Sequence, residues 1–550
     1  MRWMEAQSKG RFFSWLHFYD PHAPYAPPEP FKSRYAENPY DGEIAYTDSV
    51  VGRVLDFLIE KGWYDGALVL LTSDHGEDLG EHGENTHGYF VYDSTLRVPL
   101  LIKLPHSRYS GKVVGAQVRT IDIMPTVLQI VGGASSGREQ GRGLSSLMVS
   151  NSARSEDEAF AESYYPYYHF GWNPLLCIRT SRFKYIDAPH PELYELSSDP
   201  AEKKNLAAVN GALANQLRDR LRAGYGRLAS EHSMKREEMD PATQEKLKSL
   251  GYLTYSSRAS RLGSNRDLPD PKDKLELYAL MQSALMESQN ERLDAAIGKL
   301  KRLLDLDPTV TDAHIHLGLL YKRLSNFSAA VEEFKLALKS DPSNVVATYN
   351  LAHSYASLGR LSDAIIGFQR TLLLNPRESQ AQVGMGIAYQ MQGAADKAIE
   401  HYHAALAIDP FDSTSRNNLA SIYLSRRDAV KALEELRRSL EISDANAQTH
   451  NLLGSAHWLN SRAEAAIAEF REAIRLDNSY LDPYLNLGML LGQQNRLQES
   501  LGYLKTATEL APRSERAFEI LGQTYLLAGW KAQADAAFAR ARQLSQERER

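Results

Sequence analysis

Cysteine is nearly absent from this sequence. The 550 residues include one cysteine, Cys177, so an internal disulfide cannot form, and the cysteine count does not indicate a redox compartment. Cys177 lies in the apolar run PLLCIRT, which predicts a buried strand with a packed thiol, because free cysteines in proteins are usually buried. The composition therefore excludes a fold held together by internal disulfides.

A long apolar run and a strong excess of one charge are also missing. No run approaches the roughly 18 apolar residues that a membrane-spanning helix needs, and the N-terminus has no apolar signal region with a cleavage site. The net charge of −6, from 63 basic and 69 acidic residues, is too balanced to indicate nucleic acid as the main partner. The length allows two or more globular domains with their own cores.

The second half of the sequence repeats with a period of 34 residues. Prolines, small residues and large residues each recur at this spacing. The small residues are Ala284, Gly318, Ala352, Gly386, Ala420, Gly454, Gly488 and Gly522. The large residues are Phe334, Phe368, Tyr402, Leu436, Phe470, Leu504 and Phe538. The prolines Pro308, Pro342, Pro376 and Pro410 mark the points where a helix cannot continue.

This period resembles the tetratricopeptide repeat, and eight copies cover residues 275–550. The small residues let the two helices of a hairpin approach, and the large residues are predicted to fill the space between hairpins. Because one hairpin cannot bury its own apolar face, neighbouring hairpins stack into an all-α solenoid. The segment before it, residues 251–274, has no period and is rich in Ser, Arg, Gly, Asp and Pro, which predicts a linker.

A solenoid of this kind favours a groove that binds a protein or peptide, with a spacer or an oligomerisation surface as the alternative. Asparagines recur on the first helices of the repeats, where an inner groove is expected. They either grip a peptide backbone or are solvated. These residues are Asn350, Asn417, Asn418, Asn451 and Asn486.

Strand and helix patterns alternate in residues 1–190. The runs FFSWLHFYD, ALVLLTSDHGE and LRVPLLIKLP are predicted strands. Residues 41–62 have the apolar stripe of an amphipathic helix, and IDIMPTVLQIVGG predicts a short helix closed by glycines. This alternation predicts an α/β layer fold over residues 1–250, with ligands at the carboxyl ends of the strands.

Two of these strand ends carry acidic and imidazole side chains. The first gives His17, Asp20 and His22 in HFYDPHAPY. The second gives Asp74, His75, Glu77, Glu81, His82 and His87 in TSDHGEDLGEHGENTHG. A carboxylate beside an imidazole at a strand end is a natural pair of metal ligands. Glu81 and His82 are interpreted as solvated loop residues, and Lys184 in RFKYI as a charge at a sheet edge.

The runs SDHGEDLGEHG, HGYFVYDSTLRVPLLIKLP and VRTIDIMPTVLQIVGG resemble the sulfatase family of the alkaline-phosphatase superfamily. LHFYDPHAPYAPP is similar to the PH-x-P segment of that family, and AESYYPYYHFGWNPLLCIRTSRFKYIDAPHPELYELSSDP to its C-terminal region. The resemblance spans residues 1–250 and implies an alkaline-phosphatase-like α/β domain that is truncated at its N-terminus. Domains of this kind occur fused to tetratricopeptide arrays.

The resemblance implies roles for four residues. Asp74 and His75 match metal ligands. His22 matches a histidine that contacts the sulfate and can protonate the leaving oxygen, and His87 falls where relatives place a lysine or histidine near the sulfate. The resemblance implies one divalent metal ion: Ca²⁺, or Mn²⁺ or Zn²⁺ because His75 donates nitrogen. His17 and Asp20 either orient His22 or are structural.

The family's nucleophile is a formylglycine, made from the cysteine of a C-x-P-S-R or C-x-A-x-R motif. This sequence has no such motif, since Cys177 is followed by Ile-Arg-Thr, and the paired N-terminal metal aspartates of the family are also absent. An incomplete gene product is therefore expected, with a separate chain for the missing half or a degenerate domain as alternatives. We expect no sulfatase activity from this chain alone. Relatives are often periplasmic or exported, but localisation stays open, because any signal sequence would lie in the missing region.

The sequence alone leaves three functions open. The first is a metal-dependent sulfuric-ester hydrolase whose substrate is a sulfate ester. The second is a phosphoryl-transfer enzyme of the same superfamily, such as a phosphoethanolamine transferase or a phosphodiesterase-like hydrolase, because these also use SDHGE followed by HG. The third is a non-catalytic interaction scaffold in which only the repeats act.

Overall fold

The computed structural model describes residues 1–7, 10–134, 136–137, 139–149, 158–231 and 267–549. The end of the predicted first domain, residues 232–250, and residues 251–266 of the predicted linker lie outside the described residues. The chain forms two compact units, Met1–Ser283 with Leu306–Val310 and Ala284–Asp305 with Thr311–Arg550. None of the helices in the described ranges is both long and apolar enough to cross a membrane.

The first unit contains helices and two separate antiparallel sheets. Its helices are α1 (Arg2–Ala6), α2 (Phe31–Arg34), α3 (Pro39–Glu60), α4 (Asp93–Leu96), α5 (Ile123–Val131), α6 (Ser145–Val149), α7 (Tyr165–Phe170) and α8 (Gly211–Glu231). Its strands are β1 (Val69–Thr72), β2 (Leu100–Lys103), β3 (Ala159–Ser163), β4 (Leu175–Arg179), β5 (Phe183–Asp187) and β6 (Glu192–Glu195). Short 3-10 turns are Pro105–Ser107, Thr120–Asp122 and Pro271–Lys274.

A small antiparallel sheet positions the loop that follows β1. Strands β1 and β2 pair with Val69 opposite Lys103 and Thr72 opposite Leu100. Both strands were predicted, as was α5, which ends at Gly132 in the left-handed conformation. Because Thr72 is the last residue of β1, the Asp-His pair of the predicted metal site begins two residues beyond the strand.

The predicted strand FFSWLHFYD is wrong. Residues 11–20 have no regular secondary structure, and the side chains of Phe13 and Trp15 are 72% and 77% exposed. The apolar run suggested burial, but a strand needs a neighbour for its backbone hydrogen bonds. Among the ladders found in the part of the chain that the structure describes, none involves these residues.

The larger sheet is an antiparallel meander, β3-β4-β5-β6. One face packs on α8: Leu176, Ile178 and Leu193 of the sheet share a buried cluster with Leu217 and Leu221 of the helix. Burial of these apolar side chains is the main driving force for this packing. Cys177 points away from that face in the alternation of β4. It is 1% exposed, which confirms the predicted packed thiol, and burial raises its pKa to about 11.

Lys184 is fully buried, so its interpretation as a sheet-edge charge is wrong. It lies on β5, an inner strand with hydrogen-bonded neighbours on both sides. Its Nζ is 3.0 Å from Oδ1 of Asp93 and 2.9 Å from Oε1 of Glu202. Arg179 of β4 also pairs with Asp93, at 2.8 Å. Because Asp93 begins α4, these ion pairs fasten the large sheet to the segment that follows the metal-site loop.

The second half is a series of helices, and those from Thr311 onward pack against one another in sequence order. The helices are Leu275–Gln289, Leu293–Leu306, Thr311–Arg323, Phe327–Ser340, Val345–Ser357, Leu361–Leu374, Ser379–Met391, Ala395–Ile408, Ser413–Ser425, Ala429–Ile442, Ala447–Leu459, Ala463–Leu476, Leu481–Gln493, Leu497–Leu510, Glu515–Leu527 and Lys531–Glu549. Loops of a few residues join them. This arrangement agrees with the predicted all-α solenoid.

The large residue of each repeat packs on the small residue of its own hairpin, in addition to the predicted contact with the neighbouring hairpin. A Cβ atom at Gly318 would lie 2.7 Å from the ring of Phe334, and one at Gly386 would lie 2.5 Å from the ring of Tyr402. Phe334 also shares a buried cluster with Ala347 of the next hairpin. The glycines therefore set the close approach of paired helices.

The repeat asparagines bond to the chain itself, so the two predicted alternatives, peptide binding and solvation, do not describe the buried ones. Asn417 is 2% exposed and its Nδ2 donates to Oγ1 of Thr449 at 3.0 Å. Asn451 is 6% exposed and bonds to the hydroxyl of Tyr480 and the amide of Asn486. Each of these bonds joins one repeat to the next, so the asparagines fix the register of the array.

Candidate functional site

The loop after β1 carries the candidate site, and a glycine fixes its path. The backbone N–H of Gly76 donates to the carbonyl of Thr95 at 2.7 Å. A Cβ atom at this position would lie 2.2 Å from the carbonyl oxygen of Ser94, so only glycine fits. Further along, Asp78 accepts from the Ser94 hydroxyl at 2.9 Å. The loop is therefore held against α4 with its acidic and imidazole side chains in defined places.

Asp74 and His75 are arranged as two donors for one ion. The Nδ1 of His75 donates to the carbonyl of Gly76 at 2.8 Å, which leaves Nε2 as the nitrogen with a free lone pair. That Nε2 is 3.7 Å from Oδ1 of Asp74. Two atoms that each bind a metal at about 2.0–2.2 Å are separated by a distance of this order. The side chain of Asp74 is 55% exposed and that of His75 is 29% exposed, so an ion can reach them.

Glu77 and His87 complete a second combination with His75. Ligand atoms of His75, Glu77 and His87 all lie within 4.8 Å of one another. The rings of His75 and His87 stack at 3.6 Å, and Nδ1 of His87 is 3.3 Å from Oε1 of Glu77. Glu77 was noted in the sequence but not assigned as a ligand. Its side chain is only 4% exposed, and its position two residues after His75 carries no signal that it turns inward.

His22 reaches the same cluster from a different segment. Its ring centroid is 5.4 Å from that of His87. Its Nδ1 donates to the carbonyl of Ala23 at 2.6 Å, so Nε2 is the nitrogen that can face a ligand. The four residues named from the sequence, His22, Asp74, His75 and His87, are thus neighbours in space.

Glu43 holds the His22 segment in place and was missed by sequence reasoning. One carboxylate oxygen accepts from the backbone N–H of His22 at 2.9 Å, and the other accepts from that of Ala26 at 2.6 Å. Glu43 lies on α3 and is 3% exposed. Burial of an acidic side chain is set by tertiary contacts, so the sequence carried no signal for this role.

The remaining candidates lie outside the cluster or have structural roles. His17 is exposed, and Asp20 contributes its backbone carbonyl, which accepts from the Thr47 hydroxyl at 3.0 Å. His82, interpreted as solvated, stacks on Tyr92 at 3.8 Å, and its two ring nitrogens contact Asp78 and the carbonyl of Ala201. His82 therefore has a structural role, because these contacts hold the loop in position.

Glu84 is a buried carboxyl that supports the end of the loop. It is 0% exposed, and its two oxygens accept from the backbone N–H groups of Tyr89 and Phe90 at 2.8 and 2.9 Å. Burial raises the pKa of Glu84 to about 7, and the two N–H groups oppose this shift only in part. The negative charge on Glu84 is thus disfavoured in the folded state relative to the unfolded state.

We expect this carboxyl to make the first unit less stable as the pH rises from about 4.5 to 7. The pKa of Glu84 in the folded state lies above its value in the unfolded state, so the folded state binds more protons in this range. The stabilisation that this proton provides is complete below about pH 4.5 and is lost as the pH rises through 7. The change amounts to about 3 kcal/mol at most. In scanning calorimetry of chelator-treated protein, Glu84→Gln should flatten this part of the pH profile. Glu60→Gln, on the exposed end of α3, should not. Parallel profiles for Glu84→Gln and wild type would contradict the assignment.

The donor set fits a divalent metal of intermediate softness. Two imidazoles and one or two carboxylates are the ligands that Zn²⁺ and Mn²⁺ accept, whereas Ca²⁺ prefers oxygen ligands alone. The observation that carries this fit is that Nδ1 of His75 is held by a backbone carbonyl, as metal-bound histidines usually are. Either Asp74 and His75, or His75 with Glu77 and His87, would hold the ion.

Comparisons with known proteins agree with the two-part organisation. Residues 1–134 match the family model described as Sulfatase, and residues 80–225 match the one described as N-sulphoglucosamine sulphohydrolase, C-terminal. Tetratricopeptide repeat models match residues 283–345, 349–413, 414–480 and 481–514.

Several curated proteins are similar to the first part. The multifunctional alkaline phosphatase superfamily protein PehA of Trinickia caryophylli is 32% identical over 33% of this chain and 38% of its own length. The N-acetylglucosamine-6-O-sulfatase of Bacteroides thetaiotaomicron is 30% identical over 30% of this chain and 31% of its own. The choline-sulfatase of Rhizobium meliloti is 33% identical over 32% and 33%. The chain thus spans between 31% and 38% of the length of these relatives.

Proposed function

Because the chain carries a sulfatase-family domain in its N-terminal part and tetratricopeptide repeats in its C-terminal part, we propose that the first part takes part in metal-dependent hydrolysis of a sulfuric ester. The repeats are proposed to bind a protein partner. One observation supports the first proposal above the others. The ring of His22 lies 5.4 Å from that of His87 although the two residues are far apart in sequence, and the ring of His87 stacks on that of His75 at 3.6 Å.

Each residue of the cluster has a task in this chemistry. A divalent ion, when bound, would neutralise charge on the non-bridging oxygens of the sulfate. Asp74 and His75 would hold it, with Glu77 and His87 within reach. His22, oriented by the Ala23 carbonyl and the Glu43 carboxylate, presents Nε2 and can donate a proton to the leaving alcohol oxygen as the imidazolium. His87 can donate a hydrogen bond to a sulfate oxygen.

The nucleophile is the part of the reaction that these residues do not supply. The 550 residues contain no C-x-P-S-R or C-x-A-x-R motif. Cys177 cannot replace it, because it is buried in β4 of the other sheet and its thiol has a raised pKa of about 11. We therefore expect the cluster to bind a tetrahedral oxyanion without turning over an ester.

The test measures oxyanion binding and turnover on the same sample. The purified chain is stripped of metal and reloaded with Zn²⁺, Mn²⁺ or Ca²⁺. Inorganic sulfate is then titrated by calorimetry, and 4-nitrophenyl sulfate hydrolysis is followed. We expect sulfate binding that requires metal and is lost in His22→Ala, with no turnover. The exposed His17→Ala serves as the matched control.

The outcomes separate the three functions. Sulfate binding that persists without metal would contradict the proposal, and hydrolysis by the purified chain would contradict the expected absence of turnover. Metal-dependent binding of inorganic phosphate in clear preference to sulfate would favour phosphoryl chemistry, which the similarity to a multifunctional alkaline phosphatase superfamily protein makes worth measuring. If neither anion binds in any metal state, the scaffold function remains.

A further inference from the structure

The helix Leu275–Gln289 is the first helix of the predicted repeat array, but its first turns pack within the sulfatase-like unit. Its residues up to Ser283 belong to the first compact unit. Tyr278 and Met281 are buried there. The two family models that match the first part of the chain end at residues 134 and 225, so this helix lies outside both.

Tyr278 packs on the end of the loop that follows β1. Its ring stacks on that of Tyr89, which is also buried, with the ring centroids 4.1 Å apart. Burial and the charge of Glu84 raise the pKa of the Tyr278 hydroxyl, and a hydrogen bond from the Thr86 side chain opposes that shift. Tyr278 therefore contacts the loop on both sides of His87, at the residue before it and at the second residue after it.

Two neighbouring residues of the same segment contact this stretch of the loop as well. The hydroxyl of Tyr89 donates to the carbonyl of Pro271, just before the helix, at 2.9 Å. Gly83 has a left-handed φ of +86°, and a Cβ atom there would lie 3.1 Å from the side chain of Leu275, the first residue of the helix. The loop is thus held before and after His87 by one short segment.

His87 meets the other residues of the candidate site from the returning side of the loop. Its ring stacks on that of His75 at 3.6 Å, and its Nδ1 lies 3.3 Å from Oε1 of Glu77. His75 and Glu77 are on the outgoing side, so the distance between the two sides decides how these groups meet a ligand. Metal–ligand distances tolerate deviations of only about 0.2 Å, and a small displacement of the returning side would therefore disturb the site.

We infer that Tyr278 is a positioning residue for His87, so that the first helix of the predicted repeat array completes the candidate metal site. Tyr278 acts through Tyr89 and Thr86 and is not itself a ligand. A buried, stacked pair of rings in a close-packed interior has one preferred arrangement, which fixes the returning side of the loop. This inference rests on the proposed function, in which His87 is either a metal ligand or a hydrogen-bond donor to the sulfate.

The experiment uses the full chain with Tyr278→Leu, which removes the ring, and Tyr278→Phe, which keeps it. The affinity for Zn²⁺ and Mn²⁺ is measured by competition with a chromophoric chelator, and the affinity for inorganic sulfate by calorimetry on the metal-loaded chain. We expect Tyr278→Leu to weaken one of the two affinities about tenfold, the lower end of the cost of losing a residue that supports a ligand. The metal affinity falls if His87 is a ligand, and the sulfate affinity falls if His87 contacts only the anion. Tyr278→Phe should retain most of the wild-type affinity.

A double-mutant cycle separates positioning from a general loss of stability. If Tyr278 acts through His87, the double variant Tyr278→Leu with His87→Ala should bind no more weakly than His87→Ala alone. A merely structural role would add its own loss to that of His87→Ala. Tyr402→Leu removes a fully buried ring from the second unit and is the matched control, which should leave both affinities unchanged. Circular dichroism checks that each variant is folded.

Leu275→Ala is a milder variant that removes only the contact with Gly83. It should weaken binding of the same ligand by a smaller factor, and it provides the test if Tyr278→Leu does not fold. Hydrogen exchange of the Tyr89 and Phe90 amides, which donate to Glu84, reports on the loop in the metal-free chain. This exchange should be faster in both variants than in the wild type.

The outcomes separate this inference from the proposed function. Unchanged exchange in the variants, or faster exchange with unchanged affinities for metal and sulfate, would overturn the positioning role while the wild-type metal site stands. A wild-type chain that binds no metal would refute the proposed function, and the positioning role would be refuted with it.

Discussion

Replacing His75 with alanine is expected to weaken the binding of Zn²⁺ or Mn²⁺ to this chain by at least about 100-fold. Loss of a residue that only orients a metal ligand already costs about 10- to 100-fold, and His75 is itself a proposed ligand. His75 belongs to both possible sets of metal ligands. Its Nε2 lies 3.7 Å from Oδ1 of Asp74, and it also forms a cluster with Glu77 and His87. Affinity can be measured by competition with a chromophoric chelator.

Two further variants decide which carboxylate completes the site. Asp74→Asn and Glu77→Gln each remove a negative charge with little change of shape. If the ion lies between Asp74 and His75, as the family resemblance implies, the first variant will lose more affinity. If it lies among His75, Glu77 and His87, the second will. His17→Ala, an exposed histidine, is the control and should bind metal as wild type does. Unchanged affinity in His75→Ala would rule out both arrangements.

Replacing Lys184 with methionine is expected to destabilise the four-stranded sheet by about 3–5 kcal/mol. Removing one partner of a buried ion pair leaves an uncompensated charge, and this costs more than the pair itself contributes. Lys184 is fully buried, and its loss would leave Glu202, whose side chain is 1% exposed, without its cation. Asp93 would keep Arg179, so Glu202 carries most of the effect.

Hydrogen exchange of the β4 and β5 amides under native conditions reports the free energy of opening in this sheet. Lys203→Met, on the exposed segment after β6, is the matched control. It should change the free energy of opening by less than about 0.5 kcal/mol. The double variant Lys184→Met with Glu202→Gln should recover part of the loss, because the stranded charge is then removed as well. A single variant as stable as wild type would show that this charge network does not hold the sheet.

The sequence by itself determined the features that depend on local spacing. The 34-residue period required paired helices, and the rings of Phe334 and Tyr402 do pack on Gly318 and Gly386. The strand β1 followed by an Asp-His pair was likewise visible, since an apolar run that ends in ligand-type residues needs no knowledge of distant contacts. Cys177 was correctly expected to be buried.

Tertiary structure alone decided which distant side chains meet. The approach of His22 to His87, the support of His22 by Glu43, and the inward turn of Glu77 depend on the paths of loops, and composition and periodicity do not encode those paths. Lys184 was misread for the same reason, because a lysine is read as exposed until its buried partners are known. Residues 11–20 were misread because an apolar run becomes a strand only where a neighbouring strand accepts its hydrogen bonds, and that condition is set by the fold.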